Sequence, residues 1–183
     1  MNTGTILLFK HCKNNTLTKT LLEQLLEHNN ADINFTQNNT CPLWITIINK
    51  NWNIAWMLIQ YGASTNTEIF GQSIFLKSIQ IAPPFFIEVI ISYPNTNFNA
   101  KDKLGYGCIH YACERNDPTI LQILLTHCQV SLLDTSNTGD APIDMLKPTT
   151  DPLIVQRISI YTLIATTQPA RLSNAIHQEG VQI

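Results

Sequence analysis

Three glycines, Gly71, Gly105 and Gly139, are evenly spaced along the chain and define its period. Two series of apolar residues advance beside them with nearly the same spacing. The first series is Leu22, Ile54, Phe86 and Ile120, and the second is the pairs Leu25-Leu26, Met57-Leu58, Val89-Ile90 and Ile123-Leu124. A shared period of this length is typical of arrays in which one supersecondary unit repeats and neighbouring units share a core.

Each period has the same internal order. A polar, turn-rich stretch precedes a short apolar segment of about two helical turns, and a longer helix with apolar residues at i, i+3 and i+4 follows. Asp117-Pro118 suits the start of such a helix and Gly62 the end of another. We therefore predict an all-α solenoid of about five helix-turn-helix units joined by short hairpin-like turns. The units span about residues 1–35, 36–67, 68–100, 101–135 and 136–164, followed by a C-terminal extension over 165–183.

Composition limits the classes of partner. The formal charge is -2 and lysine and arginine are scattered, which disfavours a nucleic-acid partner. No stretch has the roughly 18 apolar residues that a membrane span needs, so no membrane partner is predicted. The five cysteines form no dense, even set, which favours reduced thiols in a cytoplasmic compartment.

The sequence Cys108-x-His110-x-x-Cys113 invites a metal or redox interpretation. A zinc site needs about four convergent ligands at other spacings, and only three candidates occur here. The neighbours His11-Cys12 and His127-Cys128 suggest a Cys–His catalytic pair, but such pairs are usually joined by the fold and need a third, orienting group. We therefore assign no catalytic residue, no metal and no cofactor.

The stretch 99–112, NAKDKLGYGCIHYA, resembles the ankyrin repeat signature N-A-x-D-x-x-G-x-T-P-L-H-x-A. Gly105 matches its turn glycine and Ile109-His110 its Leu-His pair, whereas Gly107 and Cys108 replace Thr-Pro. The second unit matches through Pro42-Leu43, Leu58-Ile59, Gly62-Ala63 and Asn66. The resemblance covers about residues 1–164, most strongly units two and four, and implies that His110 bridges neighbouring turns through hydrogen bonds.

The resemblance also implies a function. Ankyrin-like modules bind proteins through their hairpin tips and the exposed side of their first helices, which form a concave groove. We therefore expect a non-catalytic protein-binding module, monomeric when alone. The expected contact residues on the third and fourth units are Phe70, Gln72, Lys101, Lys103, Leu104, Tyr106, Glu114 and Arg115. The alternative for each is that the tips pack on one another.

All three tryptophans, Trp44, Trp52 and Trp56, lie in the second unit. Trp52 and Trp56 are four residues apart and so share one helical face. Position 56 faces solvent in this family, so its indole needs a cover from a neighbouring unit, the C-terminal extension or a partner. Trp52 and Trp56 therefore join the expected partner-binding residues, and the alternative is that they pack in the core.

Abundant Asn and Ile with sparse Gly and Ala favour a bacterial or viral source. Together with the ankyrin resemblance and the small size, this implies an effector or inhibitor that acts in the cytosol of a host cell. The alternative is an enzyme, or an enzyme subunit, whose groove uses a Cys/His pair. A third possibility is a fragment of a longer protein. The sequence identifies neither the partner nor the pathway.

Overall fold

The computed structural model describes residues 2–128, 130, 132–146, 152, 155, 156 and 159. The chain divides into two compact halves, Met1–Asn97 and Phe98–Ile183. Helix predominates in the described residues, whose only strands form one two-stranded ladder. The predicted all-α class is confirmed at that level. No helix in the described part of the chain has the length and apolar character needed to cross a membrane.

The N-terminal half contains six α-helices and one short hairpin. The helices are α1 (Thr3–Lys13), α2 (Lys19–Glu27), α3 (Pro42–Ile48), α4 (Trp52–Gln60), α5 (Ile74–Ile81) and α6 (Pro84–Ile91), and the strands are β1 (Glu68–Ile69) and β2 (Gln72–Ser73). Consecutive helices contact each other as the pairs α1–α2, α3–α4 and α5–α6. In addition α1 contacts α3, α3 contacts α5, and α4 contacts α6.

Local sequence accounts for where these helices begin. Five of the six follow a residue whose side chain accepts a hydrogen bond from a first-turn N–H, which satisfies an otherwise unpaired donor. These residues are Asn2, Thr18, Cys41, Asn51 and Ser73. The sixth, α6, begins instead with Pro84, which lacks an N–H that would need a partner.

The second helix of each of the first four predicted units carries one member of the first apolar series. Its members Leu22, Ile54 and Phe86 are at most 6% exposed, and Ile120 in the C-terminal half is fully buried. Gly62, with φ +93°, ends α4, because Ala63 N–H bonds the carbonyl of Leu58 there. The predicted burial of this series and the predicted role of Gly62 are confirmed.

The C-terminal half contains α7 (Cys108–Arg115), α8 (Pro118–His127) and a 3₁₀ turn (Pro142–Met145). Helix α7 contacts both α8 and the 3₁₀ turn. Asp117 begins α8 as predicted, since its Oδ1 accepts hydrogen bonds from the N–H groups of Thr119 and Ile120.

Two turns of this half, one repeat period apart, are closed by equivalent backbone hydrogen bonds. The N–H of Asp102 donates to the carbonyl of Tyr106, and the N–H of Ser136 donates to the carbonyl of Asp140. Gly105 and Gly139 have φ +83° and +89° in these turns, a backbone conformation that side chains disfavour. These regularly spaced glycines therefore occupy turns that need a positive φ.

The fifth predicted unit departs from the pattern. Its first helix is a single 3₁₀ turn in the described residues, and Leu146 after it is extended. In the sequence Pro148 follows two residues later, and a proline offers no N–H to a continuing helix. Residues 152, 155, 156 and 159 are helical, and the extension 165–183 lies outside the described residues.

Candidate functional site

The turn between β1 and β2 carries an exposed aromatic side chain. Phe70 is 68% exposed and has φ +55°, followed by Gly71 with φ +79°. Two consecutive positive φ values are typical of a type I′ turn, which prefers Asn-Gly. The preceding turn uses Asn38 and Asn39 for this purpose. A phenylalanine in this conformation is a clear outlier, which makes it a candidate for function.

The surroundings of Phe70 leave much of its ring open. Its ring centroid lies 6.4 Å from that of Trp44, with a tilt of 56°. Gln72 sits beside it on β2, paired with Ile69, and is half-buried. We call the turn Ile69–Gln72 the Phe70 tip. The ring of Phe70 contacts Trp44, and most of its surface faces solvent.

A second tip presents Leu104, which is 59% exposed. The carboxylate of Asp102 accepts hydrogen bonds from the N–H groups of Leu104 and Tyr106, both at 2.9 Å. Asn137 bonds to the backbone of this turn through its N–H, which reaches the carbonyl of Leu104 at 2.9 Å. We call Asp102–Gly105 the Leu104 tip. It holds an apolar side chain in water on a well-bonded turn.

The charged residues predicted near this tip are partly neutralised. Lys101 Nζ lies 3.0 Å from Asp134 Oδ2 at the surface, and Arg115 lies 3.5 Å from Asp117. Surface pairs of this kind contribute little to stability. Lys103 and Glu114 are exposed.

Tyr106 has a structural contact that sequence reasoning did not identify. Its hydroxyl donates to Asp140 Oδ2 at 3.0 Å, and its ring lies 5.4 Å from that of His110. Hydrogen bonds from Thr138, Tyr106 and Ser136 lower the pKa of Asp140. Tyr106 is half-buried and ties two turns together, so it is less available to a partner than Leu104.

His110 occupies a bridging position between turns. Its Nδ1 accepts the N–H of Gly107 at 3.2 Å, which leaves the proton on Nε2. Nε2 lies 3.3 Å from the carbonyl of Asp140 and donates to it. Burial lowers the pKa of His110, in keeping with a neutral ring. This is the hydrogen-bonded bridge that the resemblance implies.

All five cysteines are buried free thiols. Burial raises the pKa of Cys12, Cys113 and Cys128 to about 12, with Cys41 adding to the effect at Cys12. Burial also raises the pKa of Cys108, whose Sγ donates to the carbonyl of Phe98. Nucleophilic thiols need a lowered pKa, and no cluster of three metal-ligating side chains occurs among the described residues.

The two predicted tryptophans have different environments. Trp52 is half-buried and lies 5.1 Å from the ring of Phe86, whereas Trp56 is 47% exposed. Trp52 also borders a surface cavity of about 300 Å³ with Asn15, Lys50 and Phe85. Sequence reasoning missed this cavity. The available signal was the polar run Asn49–Asn53 that leads into α4.

The structure thus brings Phe70 together with Trp44, Tyr106 with His110, and Trp52 with Phe85. No protein-family model matches the chain, and no curated protein matches its sequence.

Proposed function

We propose that the chain is an ankyrin-type repeat protein of about five units that binds a partner protein without catalysis. The signature residues support this proposal, since the glycines at positions 71, 105 and 139 all have positive φ. Hydrogen bonds that recur at the period add support. Asn34 bonds to Gly62 and Ser64, and Asn66 bonds to Asn95 and Asn97.

The observation that carries the binding proposal is Phe70. The ring of Phe70 is 68% exposed at a tip, and its backbone has a conformation that asparagine adopts with less strain. Retention of such a residue is explained by contact with another molecule, because buried aromatic side chains dominate the energy of protein interfaces. Leu104 adds an apolar contact of the same kind on the Leu104 tip.

The thiols support a non-catalytic role over the Cys/His enzyme alternative. Each thiol is buried and has a raised pKa. Both ring nitrogens of His110 are hydrogen-bonded to backbone groups. Free thiols also favour a cytoplasmic setting, and the compositional bias favours the cytosol of a host cell. We infer that the partner is a host protein that the chain masks or tethers.

The test is capture of proteins from a host-cell lysate by three forms of the chain. The wild type should retain a partner that Phe70→Asn combined with Leu104→Ser loses. Ile6→Ser is the control, because it removes an exposed apolar side chain on α1, 48% exposed, that belongs to neither tip. Equal retention by wild type and the double variant would contradict the proposal. Tyr106 is left intact because its loss would also break the bond to Asp140.

A further inference from the structure

A cavity of about 300 Å³ opens on the N-terminal half where three segments meet. They are the α1–α2 turn with Asn15, the α3–α4 run Asn49–Asn53, and the first turn of α6 with Phe85. It is an open depression in the surface, and its volume is at the lower end of the range for ligand sites in proteins. The cavity shares no residue with the Phe70 or Leu104 tips.

Carboxamides dominate the polar part of this cavity. The side chains of Asn15, Asn49 and Asn53 make no hydrogen bond to described residues. The Oδ1 of Asn51 accepts the N–H of Ile54 at 3.3 Å, which leaves its Nδ2 available. Each free carboxamide offers a donor and an acceptor side by side, which matches the N–H and C=O of a peptide backbone.

Lys50 is the only charged residue among the described residues that line the cavity. It has φ +56°, and it forms no ion pair with described residues. Asn15 holds the same left-handed conformation after α1, with φ +56°, and asparagine is the residue that tolerates it best after glycine. A lysine at this strained position places an uncompensated positive charge beside the cavity. That charge is complementary to a carboxylate.

The apolar part of the cavity is aromatic. Trp52 rests on Phe86 and so is held in place, while Phe85 is 57% exposed at the edge. Trp56, 47% exposed, lies one helical turn further along α4. Rigid aromatic rings next to polar groups are suited to hold an apolar side chain of a bound segment.

We propose that this cavity binds an extended peptide segment of a partner protein that carries a carboxylate side chain next to a hydrophobic one. The carboxamides bond its backbone, Lys50 pairs with its carboxylate, and Trp52 with Phe85 contacts its apolar side chain. A neutral oligosaccharide would also match carboxamides and aromatic rings. It would leave the charge of Lys50 without a counterpart, so the peptide fits the cavity better.

The test uses the three indole N–H signals of the 15N-labelled full chain. The probes are blocked hexapeptides that pair Glu or Asp with Leu, Ile, Phe or Trp, the same peptides with Gln or Asn for the acid, and an N-acetylglucosamine trimer. The signal of Trp52 should move with the acidic peptides, while that of Trp44, against Phe70, stays as an internal reference. The amide peptides should bind roughly threefold to fivefold more weakly, the size expected for one exposed ion pair.

Lys50→Asn is the informative variant, because asparagine accepts the left-handed backbone and so preserves the fold. It should abolish the difference between acidic and amide peptides. The proposal is overturned if no peptide moves the Trp52 signal, if acidic and amide peptides act equally on the wild type, or if only the trimer moves it. Concentration-dependent shifts without any probe would assign the surface to a second copy of the chain instead. None of these results depends on the tips, so the outcome is independent of the lysate experiment.

Discussion

The side-chain carbonyl of Asn66 accepts the backbone N–H of Asn97 at 2.9 Å, although 31 residues separate them in the chain. Its Nδ2 donates to the carbonyl of Asn95. Asn34 makes the same two bonds with Ser64 at 2.8 Å and Gly62 at 3.1 Å. One carboxamide thus links two consecutive turns, and the same link occurs in two successive units. Asn34 and Asn66, which lie near the ends of the first two predicted units, are therefore structural ties.

These ties predict a measurable loss of stability. Asn66→Ala should lower the free energy of unfolding by about 1–2 kcal/mol, since two hydrogen bonds are lost and water replaces them in part. Urea denaturation would measure the loss. Asn53→Ala is the matched control, because Asn53 is exposed in α4 with no such bonds and alanine favours helix. Equal stabilities of the two variants would contradict the structural role.

Two glycines in equivalent turns should respond differently to alanine. A Cβ on Gly105 would lie 2.6 Å from Asn137 Oδ1 and 2.8 Å from Asn137 N, whereas a Cβ on Gly139 would meet nothing within 4 Å. Both have positive φ, so each variant carries about 1 kcal/mol of backbone strain. Gly105→Ala should therefore destabilise the chain by about 2–3 kcal/mol and Gly139→Ala by about 1 kcal/mol. Equal melting temperatures of the two variants would refute the steric argument.

Local features were predictable from the sequence because short-range chemistry determines them. The positive φ of Gly105, the cap at Asp117 and the burial of Phe86 follow from residue type and spacing. The bond from Tyr106 to Asp140 was not predictable, since it joins side chains 34 residues apart whose rotamers depend on packing.

The two tryptophans illustrate the same limit. Trp52 and Trp56 share a helical face by spacing, yet Phe86 covers part of Trp52 and leaves Trp56 47% exposed. Which of the two is covered depends on where α6 contacts α4, and no local pattern specifies that. The cavity beside Trp52 was missed for the same reason, because Asn15 and Phe85 come from other segments.

Stability should fall in mild acid through His110. Burial lowers its pKa below the ordinary value of 6.5, an effect that Lys101 strengthens and that the Asp140 carbonyl, Asp134 and Asp102 oppose. Between the folded and unfolded pKa values the unfolded chain binds more protons, so stability is full above about pH 6.5 and decreases as the pH falls below it. Protonation of Nδ1 would also break its bond from Gly107.

The measurement is urea denaturation at pH 7.5 and pH 5.5 for wild type and His110→Gln. The wild type should lose more stability between the two pH values than the variant. The other four histidines are common to both proteins, so their contributions cancel in the comparison. An equal loss in both would show that His110 is not the responsive group.

The thiols should be slow to react in the folded chain. Because the pKa of Cys12, Cys113 and Cys128 is raised to about 12, few thiolates are present at neutral pH, and burial blocks the reagent. A disulfide reagent at pH 7.5 should label these cysteines roughly a hundredfold more slowly than in urea. A cysteine that reacts as fast in the folded chain as in urea would instead return the Cys/His enzyme alternative to consideration.

Phe70→Asn should separate binding from stability. Asparagine relieves about 1 kcal/mol of strain at φ +55°, and loss of the ring contact with Trp44 costs a similar amount, about 0.5–1.5 kcal/mol. The two effects nearly cancel, so the melting temperature should change little. Affinity for the captured partner should fall by at least about tenfold, because an aromatic anchor is lost.

Phe70→Tyr is the control for this prediction, since it keeps both the ring and the strained backbone. It should bind the partner nearly as well as wild type, with unchanged stability. If Phe70→Asn binds equally well but lowers the melting temperature, the contact with Trp44 outweighs the strain. The ring would then have a structural role, and the exposed Phe70 with its disfavoured backbone conformation would need no partner to explain it.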